Sequence, residues 1–227
     1  MTAIARLRRI VFTAMLAGSA LAHAGDLIDL RSAERVRGDA AAGKAKATVC
    51  SACHGTAGIA LVPAFPNLAG QNADYVYWRL VAFKRGVDPD SPMTAQAANL
   101  DDTAMRDLAA YFASLPPAAG HATGDAAMAG AAIYRDGDPA RGIPPCQGCH
   151  GADARGHTGT DAGRNAQSRI YPALRGQHAP YIAKRLADLA GDASPRTSAS
   201  HVMAPIARTL DAASVEAIAH WLEAGAP

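Results

Sequence analysis

The chain has 227 residues, of which 49% are hydrophobic and 19% are charged, and its formal net charge is +2 at pH 7. This length accommodates one large domain or two small ones. The near-neutral charge lacks the basic excess by which proteins bind nucleic acid, so we expect no nucleic-acid partner.

The N-terminus has the pattern of a secretory signal peptide. Three arginines within the first nine residues precede an uncharged, mostly apolar run from residue 10 to residue 22, and Ala22-His23-Ala24 has the small-x-small pattern that signal peptidase cuts. We expect residues 1–24 to be removed after Ala24 and the mature chain to be periplasmic; an uncleaved anchor is the alternative. Cleavage removes three of the 22 basic residues and none of the 20 acidic ones, which makes the mature charge −1. No later run is apolar for long enough to span a bilayer.

One five-residue motif, C-x-x-C-H, occurs twice. It reads CSACH at residues 50–54 and CQGCH at residues 146–150, and the two copies use all four cysteines of the chain. Other matches follow in the same order: FPNLAGQ at 65–71 and YPALRGQ at 171–177 are offset by 106 residues, and Met93 and Met203 by 110. So many ordered matches indicate a tandem duplication.

The duplication predicts two domains behind the signal peptide. We expect the first over residues 25–116, a connector rich in Pro, Gly and Ala over 117–124, and the second over 125–227. Each half has roughly 90 to 100 residues, a size at which a core made of side chains alone is marginal. A large apolar cofactor packed inside each half would help to stabilise it.

The residue pattern of each half is helical. Residues 71–85 carry apolar side chains at helical spacing and end at Gly86, and residues 179–190 form the counterpart before Gly191. Asp101 and Asp211 are suitable N-caps for a last helix in each half. Alternating strand patterns are scarce, so the predicted fold is all-α with long loops.

The C-x-x-C-H motif is typical of covalent haem attachment. Its cysteines form thioethers with the two vinyl groups, and its histidine binds the iron from one face. A zinc site usually has its cysteine pairs about 15 to 20 residues apart, whereas these lie 96 apart. A thioredoxin-like redox motif needs a βαβ setting, and structural disulfides, although suited to an exported protein, leave the repeated histidine unexplained. The interpretation favoured is two c-type haems, attached through Cys50, Cys53, Cys146 and Cys149 and bound by His54 and His150.

Each iron then needs a sixth ligand or has an open position. Met93 and Met203 occupy equivalent places in the repeat and are the predicted ligands of haem 1 and haem 2. The other two methionines of the mature chain fall within predicted helices, where packing is their expected role. His201 competes with Met203, but its repeat counterpart is near Ser91, which cannot bind iron.

The order C-x-x-C-H, P-x-L-x-G, methionine and a closing helix with an aromatic residue resembles the small class I cytochromes c. Two such units behind a signal peptide resemble the dihaem cytochrome c4 family, over nearly all of the mature chain. The resemblance implies two tandem class I cytochrome c-like domains, each wrapping one covalently bound haem. It also implies that the carbonyls of Pro66 and Pro172 accept the other ring N–H of His54 and His150.

Three function classes follow from this resemblance. The leading one is a carrier of single electrons between a quinol-oxidising complex and a terminal oxidase or similar acceptor, with peripheral membrane association compatible with that role. The second is a dihaem subunit of a flavin- or quinone-dependent dehydrogenase. The third, a dihaem enzyme such as a peroxidase or a thiosulfate-oxidising cytochrome, needs an open or unusual haem. Two methionines in register favour an electron-transfer protein and not an enzyme.

Overall fold

The protein is described by a computed structural model covering residues 27–120, 126–157, 166–191 and 197–225. The predicted signal peptide with its cleavage site, and residues 121–124 of the predicted connector, lie outside these ranges. In chain order the helices are α1 Ala40–Lys46, α2 Ser51–His54, α3 Ala73–Lys84, α4 Pro92–Ala97, α5 Asp102–Ser114, α6 Ala126–Asp136, α7 Gln147–His150, α8 Ala179–Ala190, α9 Ser198–Thr209 and α10 Ala212–Glu223. Short 3-10 turns lie at Pro139–Arg141 and Ala166–Ile170. These ranges contain two isolated β-bridges and no strand, which confirms the all-α prediction.

The predicted helix boundaries have local causes. The side chains of Asp101 and Asp211 accept hydrogen bonds from the N–H groups of Ala104 and Ser214, so each caps the last helix of its half as expected. Gly86 follows α3 with a left-handed φ of 66°, the conformation in which glycine ends helices. Aspartate caps thus begin the last helix in both halves, whereas Gly191 ends α8 with extended backbone (φ −84°) and not in the left-handed conformation of Gly86.

In each half the first helix crosses the last one at a glycine. A Cβ atom on Gly43 of α1 would overlap the carbonyl of Asp107 on α5, and one on Gly130 of α6 would overlap the carbonyl of Ala217 on α10. Only glycine allows the two backbones to approach so closely. These crossings bring the motif helices α2 and α7, which follow the first helix of each half, against the two cores.

Each half has its own hydrophobic core. The first is built mainly from α3 and α5, with Leu80, Leu108 and Phe112 buried; the second is built from α6, α8 and α10, with Tyr134 and Trp221 buried. Burial of these apolar side chains supplies the main driving force for folding. The presence of one core in each half agrees with the duplication in the sequence.

The two halves meet through a reciprocal pair of glutamines. Gln71 donates from Nε2 to the carbonyl of Ala173 and accepts from its N–H, both at 2.8 Å. Gln177 does the same with Asn67, at 3.0 and 2.8 Å. Because residues 67 and 173 are separated by the same interval as 71 and 177, the two contacts are related by an approximate two-fold axis. The interface therefore places the P-x-L-x-G-Q segments of both halves face to face.

Residues 27–36, here called the N-terminal arm, run from the second half back to the first. Ile28 and Leu30 are buried, with 3% and 1% of their surface exposed, and both belong to the first core. Ile28 also forms a parallel bridge with Thr197, immediately before α9. The arm thus contacts both halves.

Candidate haem-binding sites

The first C-x-x-C-H motif forms one turn of helix. Cys50 is the N-cap of α2, and the N–H of His54 donates to its carbonyl at 2.9 Å. Residues three and four positions apart share one face of a helix, so Cys53 and His54 lie beside Cys50 on the same side. His54 is buried, and its Nδ1 lies 2.9 Å from the carbonyl oxygen of Pro66. Since a carbonyl only accepts, Nδ1 carries the proton, and Nε2 is left with its lone pair as a metal ligand.

The second motif repeats this geometry. Cys146 is the N-cap of α7, and the N–H of His150 donates to its carbonyl at 3.0 Å. His150 is buried, and its Nδ1 lies 3.0 Å from the carbonyl oxygen of Pro172. The ring therefore has the same tautomer as in the first half, with Nε2 available for a metal.

Burial sets the protonation of the ligand groups. It is the largest cause that lowers the pKa of His54 and of His150 below the ordinary value of 6.5, against the opposing effect of the two proline carbonyls. Both imidazoles are therefore neutral near pH 7, the form that binds metal. Burial also raises the pKa of the Cys146 thiol to about 11, and that of Cys50 above its ordinary 9.0. None of the four cysteines forms a disulfide.

The structure brings each predicted methionine to the core that holds its motif. Met93 lies on α4 and packs, partly buried, against the first core, as does Cys50. Met203 lies on α9 and packs against the second core together with Cys146. Of the rival residues, Met105 is buried within α5 and His201 is exposed. Among the described residues no three His, Cys, Asp or Glu side chains converge into a metal site of another kind.

A buried indole tests whether the first half fits a haem. The Nε1–H of Trp78 is buried, and no acceptor lies within hydrogen-bond distance. Leaving a buried donor unpaired costs about 1–3 kcal/mol, so an acceptor from a bound group is expected there. Trp78 packs against the same core as Cys50 and Met93, and the carboxylates of a haem are suitable acceptors. The residues present therefore fit this cofactor.

The glutamine contacts between the halves were not predicted from the sequence. The one available signal was the identity of Gln71 and Gln177 in the two repeats, next to the glycine of each P-x-L-x-G segment. His178 adds a further contact, with its Nε2 at 3.0 Å from the carbonyl oxygen of Ala60. These contacts join the two loops that carry Pro66 and Pro172, so they connect one candidate haem site to the other.

Comparison with known proteins agrees with this arrangement. The cytochrome c family model matches residues 40–116 and again residues 127–225. Cytochrome c4 of Azotobacter vinelandii is 38% identical over 195 residues, which cover 82% of this chain and 89% of that protein. The crystal structure of reduced recombinant cytochrome c4 from Pseudomonas stutzeri superposes with a TM-score of 0.72 at 34% identity, covering 84% of this chain and all of that one.

A relative with another name is similar over almost the same length. The thiosulfate dehydrogenase electron acceptor of Thiomonas intermedia is 34% identical over 188 residues, which cover 81% of this chain and 82% of that protein. Two family matches in one chain correspond to two haem-binding domains, each with its own attachment motif. The chain belongs to the cytochrome c4 family and is an electron-transfer protein with two covalently bound c-type haems.

Proposed function

We propose that both haems are held by one histidine and one methionine, and that the protein carries single electrons between periplasmic redox partners. In this proposal Cys50, Cys53, Cys146 and Cys149 attach the haems. His54 with Met93, and His150 with Met203, bind the two irons. The observation that carries the proposal is the repeated geometry. In each half a buried histidine is oriented by a proline carbonyl, and a methionine in repeat register packs against the same core as the first cysteine of the motif.

The chain's own residues have three tasks in this function. Pro66 and Pro172 hold the tautomer and orientation of the histidines, and the two methionines would fill the remaining ligand position of each iron so that no substrate could bind there. The apolar cores exclude water. A covalently bound haem supplies an iron that alternates between the ferric and ferrous states, and thioether ligation favours the ferrous one. The glutamine contacts join the two loops that carry Pro66 and Pro172. They would thereby hold the two haem sites close to each other, as electron transfer from one haem to the other requires.

We place the surface for partner docking on the first half. Among the described residues, the exposed large apolar side chains concentrate beside the first motif, at Val49, Ile59, Leu61 and Val62. Leu61 is 93% exposed, which is unusual for leucine and typical of interaction surfaces. Brief electron-transfer complexes use small interfaces of this kind.

The leading donor and acceptor are a quinol-oxidising complex and a terminal oxidase. No helix among the described residues has the length and hydrophobicity needed to cross a bilayer. We propose that the predicted signal peptide exports the chain to the periplasm, where it exchanges electrons with these membrane complexes. A second candidate function is the electron-accepting subunit of a dehydrogenase, because the relative from Thiomonas intermedia is named as the electron acceptor of thiosulfate dehydrogenase.

Reduction kinetics separate these functions. The oxidised dihaem protein is mixed with a quinol-oxidising complex plus quinol, or with a thiosulfate dehydrogenase plus thiosulfate, and haem reduction is followed by absorption. Faster second-order reduction by the quinol-oxidising complex supports the leading function, and faster reduction by the dehydrogenase supports the second. Leu61→Asn should slow reduction by the true donor, whereas Val202→Asn, on the second half and 40% exposed, should not. Ready binding of carbon monoxide at neutral pH would contradict the closed haems.

A further inference from the structure

The N-terminal arm precedes the part of the chain that the cytochrome c family model matches. The family model begins to match at residue 40, four residues after the arm ends. Most of the arm is exposed, but Ile28 and Leu30 expose only 3% and 1% of their surface. A loop that buries two large apolar side chains is held in place by the hydrophobic effect and is unlike a free terminus.

One end of the arm supplies hydrogen bonds to the first turn of α9. The N–H of Ser198 donates to the carbonyl of Ile28 at 3.0 Å, and the N–H of Leu30 donates to the hydroxyl of Ser198 at 2.9 Å. The first N–H groups of a helix have no partner within the helix, so the arm satisfies one that water or a side chain would otherwise serve. Thr197 and Ser200 complete this helix start with a capping box.

The other end of the arm is attached to the first half. The N–H of Val36 donates to the carboxylate of Asp74, on the first turn of α3, at 2.7 Å. The guanidinium of Arg169 donates to the carbonyl of Ala33 at 2.9 Å, and its Nε lies 3.6 Å from the same carboxylate of Asp74. Because Arg169 belongs to the second half, the arm is held at both ends by residues of both halves.

We propose that the arm positions Met203, and therefore controls how firmly the methionine of haem 2 is held. This inference rests on the proposed function, in which Met203 binds the second iron. Met203 follows the start of α9 by five residues, or about one and a half helical turns, so fraying of the first turn reaches it. The helix of Met93 is stabilised differently: Ser91 caps α4, and the hydroxyl of Thr94 donates to the carbonyl of Asp88. The hydrogen bonds of the arm thus reach the start of the Met203 helix and not that of the Met93 helix.

The test uses the holoprotein in two backgrounds. In Met93→His, the far-red charge-transfer band from methionine to iron arises from haem 2 alone; in Met203→His it arises from haem 1 alone. Ser198→Ala removes the acceptor of the Leu30 N–H while keeping the buried side chains of the arm. We expect it to lower the temperature at which the haem 2 band is lost by about 5 °C, and to leave the haem 1 band unchanged.

A matched pair of leucine variants tests the arm itself. Leu30→Ala also opens a cavity in the first core, so it should lower the stability of the first half as well as weaken the haem 2 band, whereas Leu27→Ala, three residues away and 49% exposed, should do neither. Amide hydrogen exchange gives a readout that does not depend on haem ligation: the amides of the first turn of α9 should exchange about tenfold faster in Ser198→Ala.

Two results would overturn the inference. Equal loss of both haem bands in Ser198→Ala would show that the arm stabilises the whole molecule and not Met203 in particular. Unchanged bands together with unchanged hydrogen exchange in α9 would show that the arm does not stabilise this helix. If Met203→His leaves the methionine band of the parent undiminished, Met203 is not the ligand, and the proposed function fails along with the inference. If Met203→His removes the methionine band of haem 2 but Ser198→Ala changes neither the bands nor the exchange in α9, the inference is refuted and the proposed function stands.

Discussion

In the first half, Lys46 on α1 pairs with Asp107 on α5 at 2.6 Å, whereas in the second half Tyr134 on α6 stacks on Trp221 of α10 with ring centroids 4.6 Å apart. Both pairs join the first helix of a half to its last, next to the same glycine crossing. Where the first half has Asp107, the second has Ala217. The duplicated halves thus keep one ligand geometry on two different supports, one ionic and one aromatic.

The surroundings of the candidate haems differ in the same way. Trp78 of α3 contributes a buried N–H to the first half, and its repeat counterpart Lys184 of α8 is an exposed side chain that pairs with Asp188 at 2.8 Å. This difference teaches that repeat register points to candidate ligands but not to their environment. We therefore expect the two haems to respond separately when either support is perturbed.

The largest effect should come from Tyr134. Its side chain is fully buried, stacks on Trp221, and donates from its hydroxyl to the carbonyl of Gly151, directly after the second motif, at 2.6 Å. Tyr134→Ala should destabilise the second half by about 3–5 kcal/mol through loss of packing. Tyr134→Phe, which keeps the ring and removes the hydrogen bond, should cost about 1–3 kcal/mol.

The measurement is urea unfolding followed by the absorption of each haem. The band of haem 2 should disappear at lower urea concentration in Tyr134→Ala, with that of haem 1 little changed. Unfolding of both halves at the same shifted midpoint would show that the glutamine interface makes the molecule one cooperative unit, and would contradict the separate unfolding of the two halves.

The parts of this arrangement that sequence could predict are those with strict chemistry. Covalent haem attachment restricts residue types and spacing, so the C-x-x-C-H motifs were apparent, and the repeat then pointed to Met93 and Met203. Both methionines were predicted without a helix around them, yet they lie on α4 and α9. Pro205 lies inside α9, and its low helix propensity disfavours a helix at this position. The helix forms nevertheless because tertiary packing outweighs the local propensity.

Other parts depended on which surfaces meet. Gln71 and Gln177 form hydrogen bonds with backbone groups about a hundred residues away, and no local sequence pattern predicts which residue they contact. The sequence of the arm does not recur before the second motif, so repeat comparison could not reveal it. Nothing in the sequence distinguishes Ser198 from the other serines, because its hydrogen bond with the N–H of Leu30 depends on the tertiary fold.

A smaller effect on stability is expected at a left-handed turn that both halves share, where the first half has glycine and the second has alanine. Gly58, with φ of 71°, accepts from the N–H groups of Leu68 and Ala69, and Ala154, with φ of 58°, does the same for Leu174 and Arg175. Gly58→Ala should cost the first half about 1–2 kcal/mol, because Cβ is disfavoured in this conformation. Ala154→Gly relieves that strain but removes a buried methyl group, so the second half should change by less than about 1 kcal/mol. Haem-resolved urea midpoints check both, and equal losses in the two variants would contradict the equivalence of the turns.

The smallest effect is a pH dependence confined to the ionic support. The side chain of Lys46, and then the N–H of Asp39, lower the pKa of Asp107 below its ordinary value of 3.8. Its stabilisation is therefore complete above that ordinary pKa and is lost as the pH falls through the lowered value. Asp107→Asn should destabilise the first half at neutral pH, and its difference from the parent should shrink below about pH 4. Lys46→Met should reproduce this behaviour; a difference independent of pH would refute it.

The central claim is that each half holds one haem closed by histidine and methionine. A redox titration of the dihaem protein followed by magnetic resonance of the haem irons tests it most directly, with Met93→Ala and Met203→Ala beside the parent. We predict two low-spin irons with methionine ligation in the parent, and loss of one methionine signal, in a different half, in each variant. A high-spin iron in the parent, or a variant that retains both methionine signals, would contradict the account.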